Sequence, residues 1–401
     1  MNIFVINSGS SSIKYQFIEM PSEKVVCSGI VERIGKEDAR IIYKTGEKGT
    51  EQVTSKVTKV ADHAEGLREV VSLLTAKDTR VINDPSEIDL IGHRVVHGGE
   101  TFSQTTIITA EVKEKIKQLF ALAPLHNPPN YTGIEVAEKL FPKAVQMAVF
   151  DTAFHQTIPP VAFRYAIPNK FYIEDGIRVY GFHGTSHRYV SEKAIDYLKK
   201  EKSKIITIHL GNGCSMTAVQ NGKSIDTSMG FGPMNGLIMG TRAGDIDQSV
   251  IFYLVNESGY KVEKVKDMLN YKSGMIGLTG YNDMRDINRQ IENGDDGALL
   301  AFRMYAYRIR KYIGAYAAVL NGLDAVVFTG GVGENDYRMR EICCSDIDYL
   351  GIKLDEEKNK TRLNQLHEIN DQSSAVKILV IPTDEELEIA MQCYQLLKGL
   401  A

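Results

Sequence analysis

The sequence predicts an α/β protein built from two similar halves, and three observations carry that expectation. The first is the stretch Ile3-Phe4-Val5-Ile6-Asn7-Ser8-Gly9-Ser10-Ser11-Ser12-Ile13-Lys14. Its apolar run has the length of a buried strand, Gly and serines punctuate a tight turn, and a strand-like pattern resumes over 13–18. The second is residues 204–218, which again read as strand, Gly/Ser turn and strand. Superimposing the turns puts Asn7 on His209 and Gly9 on Gly211, an offset of 202 residues in a chain of 401. An offset near half the length predicts two related halves, each offering a phosphate hairpin to a shared cleft. On that superposition Lys14 falls on Met216, so only the first half carries the cation. The third is the alternation of strand and helix patterns along the chain.

Taken in order, 25–34, 39–45 and 52–58 are β-rich runs that predict antiparallel strands beside the first pair. Residues 62–74 have helical spacing, with Leu67, Val70, Val71 and Leu74 on one face. Residues 88–96 return to strand, 110–121 to helix. A Pro-rich loop, 124–130, leads into a helix to Leu140. Residues 145–150 read as a buried strand ending in Asp151. In the second half, 186–200 is helical, the second hairpin follows, and 230–244 is a Gly-rich loop with Pro233 and Arg242. Residues 247–256, 261–270, 283–292 and 297–320 are helical, and 325–329 is a strand running into Gly330-Gly331-Val332-Gly333-Glu334-Asn335 before a helix. A last strand over 377–381 precedes Thr383-Asp384-Glu385-Glu386, which matches a capping box for a helix to Leu397. The charged segment 353–362 reads as a solvated face. The expected domains are 1–150 plus the returning helix 384–401, and 151–383.

Composition bounds the partners. With 43% hydrophobic and 24% charged residues and a formal charge of -4, the chain is an ordinary globular protein with no electrostatic case for nucleic acid or an anionic membrane. No apolar run approaches the roughly 18 residues of a spanning helix, and no signal peptide is evident. The five cysteines form no C-x-x-C pair, which fits a reducing cytoplasm. Cys214 reads as a buried, inert thiol rather than a nucleophile.

The chemistry-bearing residues fall into a few groups. Asn7, Ser10, Ser12 and Lys14 combine small donors with one cation, as a phosphate needs, although an ordinary serine-rich turn has the same composition. No Walker loop or dinucleotide fingerprint is present. The glycines of 330–335 lie where backbone would pass flat against a nucleotide beside a helix N-terminus, or simply make a strand-to-helix turn. Arg94 and Arg242 stand among glycines, an arrangement suited to close approach of carboxylate or phosphoryl oxygens. Arg285 is better matched to a structural ion pair with a neighbouring Asp. His183 and His187 lack the third ligand of a zinc site, so His183 remains open as a phosphoryl donor and His187 reads as structural. Asp151 and Glu385 sit at element ends, where carboxylates meet Mg²⁺ or arginine.

Together these pieces resemble the acetate kinase family, part of the superfamily of acetate and sugar kinases, heat-shock chaperones and actin. The resemblance runs from residue 3 to about 390. It rests on Asn-x-Gly-Ser-Ser-Ser-x-Lys, Gly-His-Arg-Val-Val-His-Gly-Gly, Ala-Pro-Leu-His-Asn-Pro, Phe-Asp-Thr-Ala-Phe-His, Gly-Phe-His-Gly-Thr-Ser-His, His-Leu-Gly-Asn-Gly, Met-Gly-Thr-Arg-x-Gly-Asp, Asp-Met-Arg, Gly-Gly-Val-Gly-Glu-Asn and the final Glu-Glu. It implies two RNase-H-like, actin-like ATPase domains with ATP in the cleft between them. It also implies reversible transfer of the ATP γ-phosphoryl to acetate, giving acetyl phosphate and ADP. Carried over by position, Asn7 and Glu385 are Mg²⁺ ligands, with Mn²⁺ able to substitute. Lys14, His209, Leu210, Gly211, Asn212, Gly213, Asp283, Met284, Arg285, Gly331, Val332, Gly333, Glu334 and Asn335 are nucleotide contacts. Arg94 anchors the acetate carboxylate, and His183 and Arg242 stabilise the transferring phosphoryl. Val96, Leu125, Phe182 and Pro233 line the methyl pocket. Asp151 matches an acid/base candidate, expected instead to hold Arg242 and Mg²⁺, since acetate is already ionised near neutral pH. Met234 and Asn235 depart from the family's usual Leu and acidic residue. The resemblance also implies a homodimer. Propionate or butyrate kinase, or a non-enzymatic actin-like ATP-binding protein, are the alternative readings.

Overall fold

The β-rich runs of the first half join one mixed sheet in the computed structural model, which describes residues 1–46 and 50–400. Residues 47–49 and 401, part of the expected first domain, lie outside the described residues. The strands are β1 (Asn2–Ser8), β2 (Ser12–Glu19), β3 (Lys24–Glu32), β4 (Ala39–Thr45), β5 (Gln52–Thr58), β6 (Leu90–Val95), β7 (Thr106–Ile107) and β8 (Val145–Phe150). Their order is β5-β4-β3-β2-β1-β6-β8-β7. Strands β1 to β5 pair antiparallel as neighbours, and β1, β6 and β8 run parallel. Sequence explains the positions. The central β1 is almost wholly buried, whereas β5, Gln-Val-Thr-Ser-Lys-Val-Thr, is exposed along most of its length and closes an edge with polar residues and Lys56.

The second half repeats the plan. Strands β9 (Lys204–Leu210), β10 (Cys214–Gln220), β11 (Lys223–Thr227), β12 (Ala325–Thr329), β13 (His367–Glu368) and β14 (Lys377–Val380) are ordered β11-β10-β9-β12-β14-β13. Again three antiparallel strands are followed by two parallel ones. The halves therefore share a five-strand core, β3-β2-β1-β6-β8 in one and β11-β10-β9-β12-β14 in the other. The hairpin register corrects one detail of the superposition. Asn7 pairs with Lys14, but His209 pairs with Ser215, so the second hairpin is one residue tighter and Lys14 corresponds to Ser215, not Met216.

The chain divides into two compact units, Met1–Ala153 with Asp384–Ala401, and Phe154–Thr383. In the first, the helix His63–Thr75 lays Leu67, Val70 and Leu74 on a core of Phe4, Ile6, Tyr15 and Phe141. Each such side chain contributes about 1.5–3 kcal/mol on burial. Asp62 starts that helix by accepting from the Glu65 N–H at 2.8 Å. In the second, Val190 and Ala194 of the helix Gly184–Leu198 pack on Ile205, Val219, Val327 and Leu379. The returning helix Glu385–Leu400 packs on β1 and β6. A Cβ on Gly92 would lie 2.8 Å from Ile389 Cγ2, so only glycine lets that helix seat.

Three local expectations change. The last helix is capped by Asp384, which accepts from the Leu387 N–H at 3.0 Å, while Thr383 Oγ1 lies 2.9 Å from Ser186 Oγ. The glycine-rich stretch after β12 is itself a short helix, Gly330–Asn335, followed by Tyr337–Cys344 with Asp336 as its cap. A helix over Gly274–Thr279, and the strands β7, β11 and β13, carry too little periodicity to be read from sequence. All five cysteines are free and buried, and burial pushes the Cys214 thiol up to about 11.

On β11, burial pushes the Asp226 carboxyl up to about 6, only partly opposed by the hydrogen bond from the Thr227 N–H. The folded state thus binds the proton more tightly than the unfolded chain does. Stability from this group is full below about pH 4 and is lost as pH rises towards 6. Asp226→Asn keeps the acceptor and removes the charge. Urea melts should show it about 1–2 kcal/mol more stable than the parent at pH 7.5, with the gap closing near pH 4; no gain at pH 7.5 contradicts the assignment.

Candidate functional site

In the first unit, parallel pairing aligns the ends of β1, β6 and β8 and gathers the polar residues that follow them. Arg94 on β6 donates from Nη2 to Asp151 Oδ2 at 2.8 Å and from Nη1 to Asn7 Oδ1 at 3.4 Å, and its Nε lies 4.0 Å from Glu385. Asp151 is 1% exposed. Asp151 thus holds the Arg94 guanidinium, a pairing that the sequence reading did not foresee. Asn7 stands opposite Lys14 in the hairpin, and Lys14 forms a 2.7 Å ion pair with Glu386. Burial works against the Lys14 ammonium, but Glu386, Glu385 and Asp384 outweigh it and raise its pKa. The turn closes through the Gly9 N–H to Ser12 O at 2.8 Å, with Ser10 on the exposed rim.

Burial pushes the Glu385 carboxyl up to about 7. Arg94 opposes the shift, while Asp151 and Glu386 add to it. Four carboxylates, Asp151, Asp384, Glu385 and Glu386, thus gather around the two cations Arg94 and Lys14. Among the described residues no group of three His, Cys, Asp or Glu side chains is arranged to hold a metal. That excess of carboxylate, with the Asn7 amide oxygen alongside, nevertheless suits Mg²⁺, which keeps most of its waters and takes one or two carboxylates.

Val96 is buried just past β6. Asn130 sets its place: Asn130 Oδ1 accepts from the Val96 N–H at 3.0 Å and Nδ2 donates to Ser8 O at 2.6 Å. One buried amide thereby ties the serine turn to the residue proposed as a methyl-pocket wall. Leu125 is exposed on the loop before the helix Asn127–Leu140.

In the second unit, His183 adopts a left-handed backbone (φ 56°) at the start of the helix Gly184–Leu198. Its Nδ1 lies 2.9 Å from Ser215 Oγ, and its ring centroid lies 4.5 Å from that of His209 at the end of β9. His187 is fully buried between Thr207 and Ser215, which fits a structural role. Arg242 reaches the same place from the glycine-rich loop. A Cβ on Gly213 would lie 3.0 Å from Arg242 Nη2 and 3.2 Å from His183 Nε2, so the glycine lets the 211–213 turn, Arg242 and His183 converge. Arg242 Nη1 donates to Pro233 O, and it makes no ion pair among the described residues. Burial lowers its pKa, opposed by Cys214 and Tyr271. Phe182 is buried beside this group.

The unforeseen helix Gly274–Thr279 holds the Arg242 loop. The N–H groups of Ser273, Met275 and Ile276 donate to the carbonyls of Thr241, Met239 and Gly240 at 2.9–3.1 Å. The neck of the loop is fastened by Asp245, which accepts from the Gly236 N–H at 2.7 Å and from Tyr312 Oη at 2.8 Å.

Beside this group opens a cavity of about 810 Å³. Of the nucleotide candidates, Gly211, Asn212, Asp283, Met284, Arg285, Gly331, Val332 and Asn335 line it; His209, Leu210, Gly213, Gly333 and Glu334 do not. The Glu334 carboxylate turns back, accepting from the N–H groups of Gly330 and Thr383 at 3.0 and 3.1 Å. Arg285 makes a bidentate pair with Asp283, holding that carboxyl down at about 2 through its hydrogen bonds. Sequence reading missed Asn282, Asn288, Glu292, Asp336, Tyr337, Arg338 and Arg362 in the lining, the last of them at the end of the segment read as a solvated face. The spacing of Met284, Asn288 and Glu292, four residues apart on one helix stripe, is a signal that would have found two of them.

Two units with a repeated sheet order, each presenting a tight hairpin at the end of its first strand, define the two-domain actin-like ATPase class. Partly buried arginines and a cavity edged by helix N-termini place the chain among phosphotransferases of that class. The chain belongs to the Acetokinase family, which it matches over residues 2–391. It is 61% identical over 399 residues to the acetate kinase of Flavobacterium johnsoniae and 50% identical over 405 residues to that of Thermotoga maritima, covering all of both chains in each case. Among solved structures it is similar to the Porphyromonas gingivalis acetate kinase (TM-score 0.93, 42% identity, 99% of each chain covered). It is also similar to a Francisella tularensis propionate kinase (TM-score 0.91, 41% identity, 98% of each chain).

Proposed function

We propose that this chain is an acetate kinase, transferring the γ-phosphoryl of ATP reversibly to acetate to give acetyl phosphate and ADP. The observation that carries the reading is Arg242: a largely buried guanidinium with no carboxylate partner among the described residues, set against His183 and a glycine turn beside a nucleotide-sized cavity. Such a cation is stabilised by an anion from outside the protein. Acetate is held by Arg94, which Asp151 keeps in orientation, and its methyl lies against Val96, Leu125, Phe182 and Pro233. The ATP phosphates lie along the turns at His209–Gly213 and 330–335, with Lys14, Ser10 and Ser12 as further phosphate donors. Glu334 acts as a brace on the Gly330–Asn335 helix. Asn7 and Glu385 hold Mg²⁺, or Mn²⁺ in its place; the ion when bound supplies charge to the phosphate oxygens. The acetate oxygen attacks the γ-phosphorus in line while Arg242 and His183 meet the charge that spreads over the equatorial oxygens. No proton leaves acetate, so Asp151 needs no acid/base role.

Acyl phosphate trapped with hydroxylamine from formate, acetate, propionate and butyrate tests the reading, with acetate expected to give the highest kcat/KM. One methylene is worth about 1–3 kcal/mol, so propionate should react more slowly rather than not at all. Butyrate preferred over acetate, or ATP turnover without acyl phosphate, overturns it. Val96→Ala frees volume beside the acyl tail. The propionate-to-acetate ratio of kcat/KM should then rise about three- to tenfold; an unchanged ratio removes Val96 from the pocket.

A homodimer is part of this proposal. The helix Gln248–Asn256 buries none of its residues and exposes Phe252 and Tyr253 at 65% and 63%, with Tyr260 and Val262 close behind in sequence. Exposed aromatic clusters of this kind mark protein interfaces. Phe252→Glu should convert a dimer to monomer in sedimentation velocity, and an unshifted coefficient places the interface elsewhere. Five buried, unpaired thiols support a cytoplasmic setting. No helix of the described residues is long and apolar enough to cross a membrane.

A further inference from the structure

Behind His183 runs a chain of buried side chains whose hydrogen-bond directions can be assigned in turn. His183 Nδ1 lies 2.9 Å from Ser215 Oγ, Ser215 Oγ lies 2.7 Å from His187 Nε2, and His187 Nδ1 lies 2.7 Å from Thr207 Oγ1. Thr207 Oγ1 in turn lies 3.4 Å from the main-chain carbonyl of Thr217. Thr207, Ser215, Thr217 and His187 are all 0% exposed, so water does not intervene.

The far end sets the direction. Thr207 has one hydroxyl hydrogen and two neighbours that could take it, His187 Nδ1 at 2.7 Å and Thr217 O at 3.4 Å; the carbonyl can only accept whereas the imidazole can supply its own hydrogen, so the arrangement that uses every contact puts the Thr207 hydrogen on Thr217 O. Thr207 Oγ1 then accepts, and His187 Nδ1 carries the hydrogen it accepts. Burial and the imidazoles of His155, His209 and His183 keep His187 neutral, so its Nε2 bears a lone pair. Ser215 donates its one hydrogen to that lone pair. Its oxygen is left to accept from His183, which requires a hydrogen on His183 Nδ1.

We infer that Thr207, His187 and Ser215 act as positioning residues that hold His183 in the Nδ1–H form, so that Nε2 alone gains or lacks the second proton. A neutral Nε2 would set its lone pair against a phosphoryl oxygen. His183 therefore donates to the transferring group only as imidazolium. The charged and titratable groups around the ring include Arg242, His209 at 4.5 Å between centroids, and His187 and His155 behind it. The functional consequence rests on the proposed phosphoryl role of His183; the proton placement does not.

The test uses the whole substrate-free protein with ¹⁵N-labelled histidine, observed by long-range ¹H–¹⁵N correlation at a pH well above the imidazole range. His183→Gln assigns the resonance. The expected spectrum shows a pyrrole-type Nδ1 and a pyridine-type Nε2 for His183. Ser215→Ala should shift the ring towards the Nε2–H form, whose neutral ring still donates, so the fall of kcat at pH values above the imidazole range should weaken, with both KM values within about twofold. Ser215→Thr keeps the hydroxyl and should restore both. A pyridine-type Nδ1 in the parent overturns the inference, as does an unchanged tautomer in Ser215→Ala. If Ser215→Ala fails to fold, the parent spectrum alone decides. An Nδ1–H ring in a protein that makes no acyl phosphate would sink the proposed function and leave this inference standing. An active kinase with an Nε2–H ring would do the reverse.

Discussion

Arg242→Ala is expected to lower kcat about a hundred- to a thousandfold, the loss typical of removing one preorganised donor from developing transition-state charge. Arg242→Lys keeps the charge but gives up the planar fork, and kcat should still fall at least about tenfold. The protein should remain folded in both variants. A largely buried guanidinium with no carboxylate partner among the described residues costs stability, and its removal leaves no unpaired charge behind. Both KM values should change far less than kcat, because the interaction strengthens only as the phosphoryl leaves ATP. Steady-state kinetics with circular dichroism check this, and near-parent turnover in Arg242→Lys rules the role out.

Arg94 should behave in the opposite way. It is paired with Asp151, 1% exposed, so Arg94→Met takes from a buried carboxylate the guanidinium it is paired with. Breaking one side of such a pair costs about 3–5 kcal/mol of stability, visible as a lower urea midpoint. The KM for acetate should rise at least about tenfold, since a charge-assisted hydrogen bond contributes about 1.5–3 kcal/mol. Adding Asp151→Asn removes the stranded charge. The double variant should regain most of the lost stability and none of the acetate affinity. If Arg94→Met keeps the parental KM for acetate, the carboxylate is anchored elsewhere. If the double variant stays as unstable as the single one, the pair is not what holds this region.

The contrast between these arginines was only half legible in the sequence. Both stand among glycines, and that composition pointed to close approach. It could not say that Arg94 meets Asp151, 57 residues away, while Arg242 meets no carboxylate among the described residues, because partner choice is made by strand register and loop path rather than by local pattern. The strands and most helices were legible because their signals are local: the alternation in β2 and the Asp62 and Asp283 caps each sit within a few residues. The helix Gly274–Thr279 was not legible. Its short run, Gly-Met-Ile-Gly-Leu-Thr, has weak helical propensity and is held by its contacts with the Arg242 loop. The final cap fell on Asp384 rather than Thr383 because Thr383 is engaged by Ser186 and Glu334, 197 and 49 residues away. Glu334 shows the same limit at the site. Its motif pointed to the nucleotide, whereas its carboxylate closes on the Gly330 and Thr383 amides.

The central claim is a single transfer from ATP to acetate with no phosphorylated protein in between. The most direct measurement uses ATP made chiral at the γ-phosphorus with oxygen isotopes, followed by stereochemical analysis of the acetyl phosphate formed. One in-line displacement predicts inversion. Retention would mean two displacements through a phosphorylated side chain, and would contradict the account in which Arg242, His183 and Arg94 only position the reactants and stabilise charge.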